Sequence, residues 1–139
     1  MAAVIRRDGD GRILLARRGP SGPHAGLWEF PGGKVEEWEE PRTALRRELK
    51  EELDLEVEVG DLIESVHHVT PDEPILLLAY ACRITRGVPK PLECLDLRWV
   101  DVGELSLFDM PPADGPIQDR LRSSYPGTLC EQGAEGPGK

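Results

Sequence analysis

The sequence predicts an α/β protein, with a mixed β-sheet packed by helices in an α/β/α sandwich. Three observations lead there. Short β-type runs are scattered along the chain rather than gathered in one half. A segment of helical period, opening at Glu40-Pro41, falls between them, and a second follows the last strand. The chain has 139 residues, of which 39% are apolar, enough for one core and one domain.

The elements follow in order. Ala2 to Ile5 and Ile13 to Ala16 are strand candidates, and Arg7-Asp8-Gly9-Asp10-Gly11 between them gives a hairpin signal. The Gly-, Pro- and Ser-rich stretch from Gly19 to Gly26 reads as a loop. Leu27-Trp28-Glu29-Phe30 is a short strand that stops at Pro31-Gly32-Gly33. The helix from Glu40-Pro41 to about Leu53 carries Leu45, Leu49 and Leu53 as its apolar stripe. Leu55 to Val66 alternates and reads as strand with a turn at Gly60-Asp61; Ile75 to Ile84 reads as a buried strand, and Leu97 to Val100 as another. Val102 to Leu105 begins a short helical turn, and Asp114 to Leu121 is the second helix. The domain is expected to occupy residues 1–122. Residues 123–139 hold four Gly and two Pro without apolar periodicity and read as a disordered tail.

Charge and cysteines narrow the function classes. A net charge of −9 opposes broad binding to a nucleic acid backbone, so no nucleic acid polymer is expected as partner. If the ligand is a nucleotide, cations held by carboxylates must reverse the field locally. No apolar run approaches the ~20 residues that span a bilayer, and the N-terminus does not read as a signal peptide. Cys82, Cys94 and Cys130 are odd in number and form no CxxC pair, which suits reduced thiols in a cytoplasmic protein.

The chemistry concentrates between Gly33 and Leu55. Glu48, Glu51 and Glu52 are spaced i, i+3, i+4, on an arc of roughly 100° of the helix. Three like charges so close repel, and a hard divalent cation with oxygen ligands relieves that. Spacing alone equally describes a solvated acidic helix face. Glu52, however, lies beside the leucine stripe, where a carboxylate needs a partner. Upstream stand Gly33 and, after five residues, Glu39; after seven more residues comes Arg47-Glu48-Leu49-Lys50-Glu51-Glu52-Leu53.

This run resembles the Nudix box, a glycine, a distant glutamate and an Arg-Glu-aliphatic-x-Glu-Glu sequence, and its spacings agree at every position. Leu27-Trp28-Glu29-Phe30-Pro31-Gly32-Gly33-Lys34 looks like the MutT-type entry to the box. The resemblance extends from Ala2 to about Arg122 through Leu15-Ala16-Arg17-Arg18, Glu93 and Pro111-Pro112-Ala113-Asp114. One position departs: Asp54 stands where the box usually has the glycine that ends the helix in a left-handed conformation. Asp tolerates that region at roughly 1 kcal/mol, so a modest stability cost and intact chemistry are expected.

The resemblance implies a Mg2+-dependent hydrolase, with Mn2+ able to substitute, that converts a nucleoside triphosphate to the monophosphate and pyrophosphate by substitution at the β-phosphorus. It implies Glu48 and Glu52 as the main metal ligands, with Glu51, the Gly33 carbonyl and Glu93 as further ligands, and Glu51 or Glu93 as the base. Arg47 and Glu39 would hold the glutamates in place. Arg18 and Lys34 are candidate phosphate contacts, Arg17 a solvent-facing neighbour. Asp114 is either the cap of the second helix or a base-reading residue; Phe30 and Trp28 either stack on a base or pack in the core; His67 and His68 read as strand-end surface residues. A monomer or homodimer acting on a small nucleotide is expected, with a nucleoside diphosphate derivative as the alternative substrate and a non-catalytic binding module as the alternative class.

Overall fold

The computed structural model describes residues 1–22, 24–36, 38–69 and 74–124. Two cores lie on opposite sides of the strands, and the N-terminal strand β1 (Ala2–Ile5) shows why. Its residues point alternately to each side: Ala2 and Val4 join one core, Ala3 and Ile5 the other. The second strand, β2 (Ile13–Arg17), does the same, with Ile13 and Leu15 on one side and Leu14 on the other. Strands buried on both faces read as continuous apolar runs rather than alternating ones.

Helix α1 (Pro41–Leu53) covers one side. Pro41 sits in its first turn, where a missing N–H is harmless, and the Glu40 carboxylate caps the Thr43 amide. Leu45, Leu49 and Leu53 are buried as the four-residue repeat requires, against Val57, Val59, Tyr80 and Cys82. The other side is closed by a 3₁₀ segment (Val102–Leu107) and helix α2 (Gly115–Ser124), through Leu105, Ile117 and Leu121. The result is the expected α/β/α layering.

The strands sort into two three-stranded sheets. In the mixed one, β5 (Pro74–Arg86) lies between β1, parallel to it, and β4 (Glu56–Val69), antiparallel. In the other, β2 lies between β3 (Trp28–Glu29) and β6 (Asp96–Val100), all antiparallel.

Several expectations change. The expected hairpin is a chain reversal only. Arg6 and Ile13 form a single bridge, and then β1 and β2 diverge into different sheets, β1 pairing with β5 and β2 with β6. Gly60-Asp61 is not a turn but part of a β-bulge in one continuous strand. The register with β5 shifts between Val59 and Leu62, and Arg42 Nε on α1 donates to the Gly60 carbonyl at 3.1 Å. Strand β5 is buried only in its middle, at Ala79, Tyr80 and Cys82: β1 pairs with Ala79 to Cys82, whereas Ile75 and Leu76 extend beyond it and are exposed. The second helix starts one residue after Asp114, which closes a preceding 3₁₀ turn (Pro112–Asp114), and continues to Ser124. The rest of the tail, with Cys130, lies outside the described residues. Cys82 and Cys94 are free thiols, and burial pushes Cys82 up to about 12.

Candidate active site

The segment Pro31-Gly32-Gly33 threads between β1 and α1, and both glycines are needed there. Ala3 N–H donates to the Pro31 carbonyl at 2.7 Å, and a Cβ on Gly32 would stand 2.1 Å from the Met1 carbonyl oxygen. A Cβ on Gly33 would stand 2.3 Å from Cδ of Glu48. Any other residue would push the Glu48 carboxylate away. The Gly33 carbonyl oxygen accepts a 2.6 Å bond from the Met1 nitrogen.

Around this crossing the carboxylates divide into two groups. The outer group surrounds Arg47. Its guanidinium grips Glu39 with two bonds of 2.7 and 2.8 Å and reaches Glu48 at 3.1 Å and Glu51 at 3.2 Å. Arg47 holds the Glu39 carboxyl below its ordinary value and is itself held more firmly protonated. Glu51 therefore lies on Arg47 at the helix surface.

The inner group faces a cleft of about 510 Å³, lined among others by Arg18, Glu29, Phe30, Gly33, Lys34, Glu52, Glu93 and Asp114. Among the described residues no Lys or Arg side chain forms an ion pair with Glu52, and its positive neighbour is the Met1 ammonium. Glu52 accepts a backbone bond from Gly32, yet burial first, then Glu48, Glu29 and Glu93, push its carboxyl up to about 8. Asp114, 7% exposed, is pushed up to about 7 by burial and by Glu29, with Arg18 acting in the opposite sense. Phe30 is 3% exposed within the α2-side core and offers the cleft a wall rather than a free stacking face. Trp28 packs edge-to-face on Phe108, away from the cleft. Arg17 is exposed and bonds the Gly26 carbonyl, as its solvent-facing reading required.

One cleft residue escaped sequence reasoning. Glu29 accepts a 2.8 Å ion pair from Arg18 and presses on both Glu52 and Asp114. The signal was a carboxylate between two aromatic residues just before a Pro-Gly-Gly stop, a place where a charge needs a partner.

Oxygen donors, two of them carboxylates that repel each other, suit a hard divalent cation. The close fit of Glu48 against Gly33 and the raised carboxyl of Glu52 both meet that requirement. Among the described residues no three His, Cys, Asp or Glu side chains stand together so as to hold a metal ion by themselves. An open set completed by a backbone carbonyl and by substrate oxygens is what a cation holding phosphates uses.

The chain is similar to known proteins along most of its length. The chain is 40% identical over 129 residues to the CTP pyrophosphohydrolase of Escherichia coli K12, covering 91% of this chain and 94% of that one. It is 32% identical over 122 residues to the 8-oxo-dGTP diphosphatase of the same organism, covering 88% and 95%. The solution structure of the E. coli ORF135 protein superimposes with a TM-score of 0.76 at 36% identity, covering 94% of this chain and 91% of that one. Residues 1–121 match the NUDIX domain, and with the box glutamates set on α1 beside Gly33 the chain belongs to that family.

Proposed function

We propose that this protein hydrolyses a nucleoside triphosphate to the nucleoside monophosphate and pyrophosphate, with Mg2+ as the divalent cation and Mn2+ able to replace it. The observation that carries the reading is the inner carboxylate group. Glu52, crowded by Glu48, Glu29 and Glu93 at the cleft wall, is a buried carboxyl pushed up to about 8, a strain that a divalent cation would relieve. Relatives of the same length named for CTP and 8-oxo-dGTP support the substrate class.

Glu48 and Glu52, with the Gly33 carbonyl, would hold the cation. The chemistry it would supply there is neutralisation of phosphate oxygens and a lowered pKa for a water molecule. Arg47, fixed by Glu39, holds the Glu48 and Glu51 carboxylates. Arg18 and Lys34 bring positive charge to the cleft for the phosphates. The base must stand in the cleft to take a proton from the attacking water. Glu93 does, whereas Glu51 lies on Arg47, which favours Glu93. One water is consumed, its proton leaves through the base, and the anhydride bond breaks with no covalent intermediate.

Asp114 reads the base in this account, because its carboxyl lies buried in the cleft. Near pH 7 its raised pKa presents both the acid and the carboxylate, so it can donate one hydrogen bond or only accept. That suits a cytosine amine or an oxidised purine. Pyrophosphate release with Mg2+ from CTP, dCTP, 5-methyl-dCTP, dGTP and 8-oxo-dGTP tests the reading. Turnover of at least one of them is expected. Silence on all five, with hydrolysis of a nucleoside diphosphate derivative, would replace it.

A further inference from the structure

We propose that Asp54 and Lys90 are a positioning pair that clamps the loop carrying Glu93 to the end of α1 and so sets the place of Glu93 relative to Glu52. The inference rests on the catalytic reading of the cleft given above.

The last carbonyls of a helix have no partner within it. Here the chain after β5 supplies one. Lys90 N–H donates to the Leu53 carbonyl at 2.9 Å, and Leu92 N–H donates to the Glu52 carbonyl at 3.1 Å. Glu93 follows directly. The loop thus docks on the backbone of the very residue whose carboxylate Glu93 faces across the cleft. Gly87 lets it come this close: it has φ +101°, and a Cβ there would stand 2.9 Å from the Asp54 carbonyl oxygen.

Asp54 adds what a glycine in its place could not. Its backbone is left-handed, at φ 57° and ψ 40°, and its N–H closes onto the Leu49 and Lys50 carbonyls. It therefore ends the helix as glycine would. Its side chain then works in two directions. One carboxylate oxygen takes Lys50 Nζ at 3.1 Å, one turn back on α1; the other takes Lys90 Nζ at 3.2 Å, across 36 positions in sequence. Asp54 is a bridge between the catalytic helix and the Glu93 loop, and the departure from glycine gains a purpose.

The test compares steady-state pyrophosphate release and thermal melting for wild type, Asp54→Gly, Lys90→Met, Lys90→Arg and Glu93→Gln, and for Asp54→Gly and Lys90→Met in the Glu93→Gln background. Asp54→Gly and Lys90→Met are each expected to lower kcat by about two- to fivefold, the range an exposed ion pair supplies, with KM and melting temperature nearly unchanged. Lys90→Arg retains the pair and restores kcat. Glu93→Gln lowers kcat, and adding either clamp variant to it costs nothing more, because the clamp acts only through Glu93. Wild-type kcat in both Asp54→Gly and Lys90→Met, with Glu93→Gln impaired, overturns the clamp and leaves the reading of the cleft standing. A clamp loss that persists in the Glu93→Gln background also overturns it. Wild-type kcat in Glu93→Gln removes the role of Glu93 and the clamp with it.

Discussion

Two groups of carboxylates meet at α1, both built of acidic side chains, yet they are in opposite electrostatic states. In the outer group, Arg47 answers Glu39, Glu48 and Glu51 with hydrogen bonds of 2.7 to 3.2 Å, and Glu39 is held below its ordinary value. In the inner group, Glu52 and Asp114 meet burial and other carboxylates, and are pushed up to about 8 and about 7. Arg47 pairs the first group within the protein; the second, with Glu48 at its border, is the group proposed to take a cation. A folded chain tolerates such unanswered charge where ligand binding relieves it.

That contrast breaks most sharply at Glu52. Glu52→Gln removes the carboxylate proposed as a metal ligand, and should lower kcat at least ~100-fold while the fold persists. Near-wild-type pyrophosphate release from the variant would end the assignment. Arg47→Ala dismantles the outer group instead. It should reduce kcat/KM by about 10- to 100-fold, as losing the support of a metal ligand does, and an unchanged value would make the outer group decorative.

Asp114→Asn probes the inner group at its far end. If Asp114 reads the base, kcat/KM ratios among the five nucleotides should shift by roughly 1–3 kcal/mol, since one substrate loses a partner and another gains one. An unchanged ranking would return Asp114 to a purely structural role before α2.

The smallest effect distinguishes the groups by pH. Glu52 rises from 4.5 to about 8 on folding and Asp114 from 3.8 to about 7, so both favour the fold when protonated. Their contribution is complete below their ordinary values and is lost as pH rises through about 7 and 8. Glu39, held low by Arg47, contributes in the opposite sense: present above pH 4.5 and lost on acidification. Melting of the metal-free protein should therefore fall from pH 5 to 8, and Glu52→Gln should flatten that slope. A metal-free melting temperature that rises over this interval would contradict the account.

Much of this was legible in the sequence, for physical reasons that differ by element. The leucine repeat on α1 had to be buried, and the box spacing put Glu48 and Glu52 on one side of it. Left-handed Asp54 followed from its place at the helix end. The sequence-local signals failed where partners lie far apart. Arg7 to Gly11 does reverse the chain, but whether β1 and β2 pair depends on β5 and β6, which compete for their edges. Gly60 breaks the alternation of β4, and only its pairing with β5 turns that break into a bulge rather than a turn. Nothing local joins Asp54 to Lys90, and the pressure of Glu29 on Glu52 and Asp114 arises only once three separate segments meet in the cleft.

The most direct test of the central claim, that the inner carboxylates await a divalent cation, is calorimetric titration of Mg2+ or Mn2+ into the protein at pH 7 in buffers of different ionisation enthalpy. With Glu52 raised to about 8, it is mostly protonated at pH 7, and a cation can take its oxygen only by displacing that proton. The account predicts release of about one proton per cation at pH 7, fading above pH 9, and weaker binding without proton release in Glu52→Gln. Cation binding of equal strength in wild type and Glu52→Gln, with no proton released from either, would contradict it.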